Sequence, residues 1–442
     1  MRTAAIRIRI GIVATLSLVA TSGVVAISAL SAQAVEPIAS PSAAASEAAG
    51  RGAAWLARLV TADGFVPKAG DPATPSFGAT RDVAVALATA GTEPTTFAKV
   101  VDFLAMHLSD AAADLTDSSG ADKPGPVGQL IMVAVAAGRD PRAFGGTAPI
   151  NDLVARLLAT RRLSGPDAGL FGSQFALYDG AYRQGLALAA LRAVGVIDTA
   201  GSAWLEAQQC ADGSWMAYRS DLGAPCAFDP ESFTGPDTNS TALAAIGLVA
   251  ACRTPLVDVA AYFAESQTSN GGWSFGGSPG EDSDPNSTAL VMSALVSLHV
   301  DPNADPFADP NTPSSALIGF QFADGPDAGA FWFPPFDDGP RTPNLLATAQ
   351  ASIALLLRSF PLARPAGTPP VADPCGTSGP TSTTSTSSTS TAPTSTSSTS
   401  TSSTSTAPTT TPTIVSVRAA TVERAEPAAA ATAVRGVVQF AG

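Results

Sequence analysis

Two short stretches carry residue types that could do acid or binding chemistry: Asp237-Thr238-Asn239-Ser240-Thr241-Ala242 and Asp284-Pro285-Asn286-Ser287-Thr288-Ala289. Each sets a carboxylate two residues before a carboxamide. A carboxylate can move a proton, whereas an Asn can bind but cannot serve as a strong acid. Elsewhere aromatics stand beside further carboxylates: Tyr178, Asp179 and Tyr182; Tyr218, Arg219, Phe228 and Phe233; Glu281 and Asp282; Phe331, Trp332, Phe333, Phe336, Asp337 and Asp338. Such mixtures suit a small molecule, a glycan, a peptide or a planar cofactor. Two carboxylates about 5–10 Å apart could also hydrolyse a glycosidic bond. The plainer alternative is structural: Asp237 and Asp284 cap helices and the acidic loops are solvated. The sequon matches at Asn239 and Asn286 read as part of the same caps. The expected ligand-site residues are Asp179, Tyr182, Asp237, Asn239, Asp284, Asn286 and Trp332, with no catalytic and no metal residue assigned and no cofactor expected.

The remaining reactive residues are few. His107 and His299 are the two histidines, each late in an apolar run, and neither has a Cys or Asp at ligand-like spacing. Both read as helix-end residues. Four cysteines, Cys210, Cys226, Cys252 and Cys375, lack the CxxC spacing of zinc sites. Three pairings are open to them. Cys210 and Cys226 flank one loop and are the favoured pair, which leaves Cys252 for Cys375.

The elements that must position these residues are written as repeats. A helix-like run ends in Gln, and a short loop closes with Gly-x-Trp. Trp204-Leu205, Gln209 and Gly213-Ser214-Trp215 form one copy; Tyr262-Phe263, Gln267 and Gly271-Gly272-Trp273 form the next. Gly213, Gly271 and Gly329 are spaced by 58 residues each time. Gly165 to Phe171 matches Gly325 to Phe331 at a distance of 160, with Phe in the Trp slot. A worn copy runs from Trp55 through Val60 to Gly64, and one more unit is implied by helices over 95–108 and 126–137. Six helical hairpins result, with second helices near 80–90, 126–137, 180–194, 239–251, 286–298 and 344–357. Units of this size bury their apolar faces only against neighbours, and an open stack needs polar end caps. None is visible, so closure into a ring is expected. The loop after Gly213 is the longest: Asp237 lies 24 positions on, against 13 from Gly271 to Asp284.

The ends of the chain differ from this centre. Arg2, Arg7 and Arg9 precede an apolar stretch closing in Ala32-Gln33-Ala34, the pattern of a secretory signal peptide over 1–34. Its removal takes the formal charge from −13 to −16, and the chain has three lysines. That balance argues against nucleic acid and anionic membranes as partners. No later run is long enough to span a bilayer. Residues 35–44 read as a linker, 45–365 as the repeat domain and 366–413 as a Pro/Ser/Thr-rich disordered stalk. Residues 414–442 form an Ala/Val-rich tail. Export, with cell-wall attachment as an open alternative, is the expected location.

In these repeats the chain resembles the squalene-cyclase and prenyltransferase α/α-toroid superfamily, whose QW motif pairs Gln with Gly-x-Trp over about residues 45–362. The resemblance implies an all-α (α/α)6 toroid and a structural, helix-bracing role for Gln209, Gly213, Trp215, Gln267, Gly271 and Trp273. It also implies a test of activity. Class II terpene cyclases donate a proton from the middle Asp of Asp-x-Asp-Asp-Thr-Ala; here that position is Asn239 or Asn286. The zinc triad of protein prenyltransferases and the Cys-Gly-Glu-Gln of thioester domains are missing. The secreted cobalamin carriers are similar in architecture, but no β-rich second domain follows. The expectation is therefore a secreted, non-catalytic toroid that binds a small molecule or glycan at its mouth, where the inner-helix N-termini converge; a carboxylate-based glycan-active enzyme or a diverged terpene cyclase is the alternative.

Overall fold

The computed structural model describes residues 39–368 and Cys375, apart from 111, 173–179, 229–233, 309, 335–338 and the side chains of 112 and 113. The leader, the tail and the stalk beyond residue 368, Cys375 apart, lie outside the described residues, as do Tyr178, Asp179, Phe233, Phe336, Asp337 and Asp338. The first hairpin is α1 (Ala43–Arg58) and α2 (Phe77–Ala90). The second is α3 (Pro94–Met106), a short α4 (Ala112–Leu115) and α5 (Pro124–Ala136). Then follow α6 (Leu153–Ala159) with α7 (Ala181–Ala193), and α8 (Thr199–Ala207) with α9 (Thr238–Ala250). The last two pairs are α10 (Val259–Ser266) with α11 (Pro285–Ser297), and α12 (Pro313–Ile318) with α13 (Leu345–Leu355).

The even-handed Ala/Leu content of the second helices explains their place. In α9 every residue but Val249 is buried, and α7 and α11 are nearly as enclosed. A helix apolar all round has no solvent face and goes inside. These inner helices touch in the order α2, α5, α7, α9, α11, α13 and back to α2, so the ring is closed. The first helices form the outer layer, α1 packing across the junction of α13 and α2. The fold is an all-α toroid of six hairpins, as the repeats implied. No helix among the described residues is long and apolar enough to cross a membrane.

The repeat residues join neighbouring hairpins. Gln209 Nε2 donates to the carbonyls of Gly213 (3.1 Å) and Val257 (2.9 Å), while its Oε1 accepts from the N–H groups of Leu256 (2.8 Å) and Val257 (3.0 Å). Gln267 Nε2 bridges Gly271 (2.8 Å) and Phe307 (2.9 Å) in the same way. Each Gln thus ties its own loop to the approach of the next outer helix. Gln321, which was not singled out from the sequence, closes the circle: its Nε2 bridges Gly329 (3.0 Å) and Ala48 of α1 (2.8 Å), and Arg51 donates to its Oε1 (2.6 Å). In the third unit Arg161 takes the slot and pairs with Asp198.

The loop glycines are conformational and steric at once. Gly271 has φ +91°, and a Cβ there would lie 2.5 Å from the carbonyl oxygen of Asn311 on the next hairpin. Trp215 and Trp273 are fully buried, each donating its indole N–H to an outer-helix carbonyl, Leu205 and Phe263, at 2.8 Å. Short antiparallel pairings then lead from these aromatics to the inner helices: Trp215 pairs with Asp237, Trp273 with Asp284 and Phe331 with Asn344. Both disulfides form as expected, Cys210–Cys226 across the long loop and Cys252–Cys375 from the end of α9.

Candidate functional site

All six inner helices begin at the same level, and their caps set a common register. The N-caps are Ser76, Lys123, Gly180, Asp237, Asp284 and Asn344. Four residues on stand Thr80, Val127, Gln184, Thr241, Thr288 and Thr348. Five of these receive a loop N–H on a side-chain oxygen: Val66 to Thr80 (3.0 Å), Phe171 to Gln184 (2.8 Å), Trp215 to Thr241 (2.9 Å), Trp273 to Thr288 (3.0 Å) and Phe331 to Thr348 (2.8 Å). One more half-turn places Asp82, Gln129, Leu186, Leu243, Leu290 and Gln350 side by side around the axis. All six line a narrow lumen with about 30 Å³ of free space, with Val85, Tyr182, Ser293, Leu346, Ile353 and Phe360 above and below them.

The ring is two-faced. Gln350, Asp82 and Gln129 come from the consecutive helices α13, α2 and α5, and Leu186, Leu243 and Leu290 from α7, α9 and α11. A polar arc therefore faces an aliphatic arc. The aliphatic side is drawn tight by glycine: a Cβ on Gly185 of α7 would lie 1.9 Å from the Leu243 carbonyl oxygen of α9. At the mouth, two residues after each cap, stand Gly78, Gly125, Tyr182, Asn239, Asn286 and Leu346. Over the two glycines lie Asp114 and Arg183, whose atoms a Cβ at Gly78 or Gly125 would meet at 3.4 and 3.3 Å.

Electrostatics centre on Asp82. Burial pushes its carboxyl up to about 6, with Asp114 adding to the rise and Arg81 and the neighbouring Gln129 amide opposing it. Arg81 does not pair with it: its guanidinium bonds Asp114, and its Nε donates to Gln129 Oε1 at 2.6 Å. That contact fixes the Gln129 amide, because arginine offers only donors. Among the described residues Asp82 has no ion-pair partner. Burial also raises the Tyr182 phenol to about 12, with contributions from Asp82 and Asp237 and with Gln350 beside it. Two carboxamide oxygens are buried without a hydrogen-bond donor: Gln350 Oε1, on the lumen, and Asn286 Oδ1, one helical turn before Leu290 on α11.

No protein-family profile matches the chain, and no curated protein matches it in sequence. Among solved structures it is similar to a type II terpene cyclase from Scytonema in complex with geranylgeranyl dihydroxybenzoate, at 15% identity over 71% of this chain and 96% of that one, with a TM-score of 0.45. It is similar also to a protein from Actinoplanes, at 15% identity over 71% and 98% with a TM-score of 0.43. A third is the unsaturated glucuronyl hydrolase of Bacillus sp. GL1, which degrades glycosaminoglycan, at 14% identity over 71% and 95% with a TM-score of 0.43. The ring itself rests on the helix contacts above.

The residues expected at the site fall into three groups. Tyr182 lines the lumen, whereas Asn239 and Asn286, one helical turn before the lumen residues Leu243 and Leu290, are not among its lining residues. Asp237 and Asp284 are buried caps: Oδ1 accepts from the N–H of Ser240 (2.6 Å) and of Ser287 (2.8 Å), and burial pushes both carboxyls up, Asp237 to about 7. Trp332 packs on Phe320 with Arg341 over its ring at 4.0 Å, away from the lumen lining. Asp179 lies outside the described residues. His107 caps α3, stacks on Phe103 and contacts Asp110 at 2.9 Å, while His299 follows α11. Asp82, Gln129 and Gln350 were missed. The signal was present as their constant distance from the caps, which only becomes readable once all six caps are aligned.

Proposed function

We propose that this chain is an exported binding module that holds one small amphipathic molecule in the lumen of its ring, entering at the inner-helix N-termini. The observation that carries this reading is the division of one lumen level into a polar arc, Gln350, Asp82 and Gln129, and an aliphatic arc, Leu186, Leu243 and Leu290. Filling it takes outward movement of lining side chains, and a hydrocarbon segment with a hydrogen-bonded head suits its two arcs. Glycan hydrolysis is less favoured, because Asp82 is the sole carboxylate among the described lumen-lining residues and Asp237 and Asp284 are engaged as caps. The cyclase-like Asn239 and Asn286 could bind but not protonate. Export is supported by the leader-like first 34 residues and by the two disulfides, which persist in oxidising compartments.

Native mass spectrometry of the full chain, purified from its producing cells or exposed to their extract, tests the proposal. A retained molecule that disappears in Leu243→Trp, which fills the lumen from the aliphatic side, is the expected outcome. A chain that emerges empty, or a ligand that survives Leu243→Trp, overturns it.

A further inference from the structure

We infer that the head group which this lumen selects is a protonated amine. The inference rests on the proposed binding function and adds the chemical class of the ligand. The site's polar atoms that lack a counter-charge or a donor are acceptors. Asp82 offers a carboxylate without an ion-pair partner, Gln350 offers Oε1 and Asn286 offers Oδ1, the last two buried and without donors. They come from α2, α13 and α11, three consecutive helices of the ring. Buried acceptors left unmatched are costly, and a ligand donor that reaches them recovers that cost. An ammonium presents donors in several directions and one charge to match one carboxylate. The positive groups nearby do not supply that charge: Arg81 bonds Asp114 and Gln129, Lys123 faces Asp114, and Arg183 lies on Gly125. The acidic balance of the chain, −13 overall, draws cations toward it.

The facing titratable groups define the pH response. Around this level stand Arg81 on the same helix as Asp82, Asp114 on α4, Lys123 at the cap of α5, Tyr182 and Arg183 on α7, and Asp237 and Asp284 at the caps of α9 and α11, while α13 brings Gln350 and no titratable group. Burial puts the Asp82 carboxyl at about 6, so it is neutral at pH 5 and charged at pH 8. An ammonium, charged at both, should follow that titration.

Calorimetric titration of the full chain with octylamine, 1-octanol and octanoate is the test. Octylamine is expected to bind at pH 8, about tenfold or more weaker at pH 5, equally weakened at pH 8 by Asp82→Asn, and not at all to Leu243→Trp. Octanol or octanoate binding as tightly as octylamine at pH 8, or octylamine binding that ignores Asp82→Asn, overturns the choice of head group while leaving the lumen as a binding site. Failure of all three probes to bind, or octylamine binding undiminished in Leu243→Trp, overturns the lumen reading as well.

Discussion

Asp82 is a carboxylate that the fold removes from bulk water without giving it a counter-charge, and its effect on stability has a definite sign. Its folded-state value of about 6 lies above the usual carboxylate value of 3.8. Between those limits the native chain keeps a proton that the unfolded chain has lost. Stability from this group is therefore full below about pH 4 and declines as pH rises through 6. Urea unfolding of the wild type should show that decline, and Asp82→Asn should reduce it by on the order of 1–3 kcal/mol. Asp237, pushed up to about 7, acts with the same sign, so a residual slope should remain. The stapling amides behave differently. Gln267→Ala deprives the Gly271 and Phe307 carbonyls of their donor, and a loss of about 1–3 kcal/mol in unfolding free energy is expected at any pH.

At the scale of elements, most of the outer architecture was legible from the sequence and the lumen was not. The second helices were expected near 239–251 and 286–298 and run over Thr238–Ala250 and Pro285–Ser297, because Asp237 and Asp284 announce their starts as caps. Helix α1 begins at Ala43, within the stretch read as linker, because Ser42 caps it by accepting from Ala45 N–H at 3.1 Å. What the sequence concealed is which side of each inner helix meets the axis. A helix buried on all faces has no apolar stripe, so neither its pattern nor its composition separates Leu243, on the lumen, from Ile246 or Leu248. Asp82, following Arg81, looks like half of a solvated pair until Arg81 is seen to bond Asp114. The loops carry their own test. Gly271→Ala combines an unfavourable φ with a 2.5 Å clash and should lower the unfolding free energy by more than about 2 kcal/mol. Asp284→Ala, which only removes a cap, should cost about 0.5–2 kcal/mol.

For the whole molecule, closure decides how stability is shared. An open stack of hairpins frays from its ends, since terminal units have one neighbour. Here α1 fills the junction between α13 and α2, and Gln321 bonds Ala48 as Gln209 bonds Val257. Every hairpin has two neighbours. Amide hydrogen exchange should accordingly show α2 and α13 as well protected as α7 and α9, with one cooperative unfolding transition. Gln321→Ala, which cuts the seam, should lower the protection of α1 first and most.

The seam has a consequence for chain connectivity. A junction made by the same Gln contact as those at Gln209 and Gln267 gives the ring no structural first hairpin, so the hairpins can be read from the gene starting at another junction. A circular permutant that starts near Ile197, between α7 and α8, and joins the end of α13 to the start of α1 through a flexible linker should fold to the same toroid. The place where translation begins would then have moved by half a turn, and the lumen would not have changed.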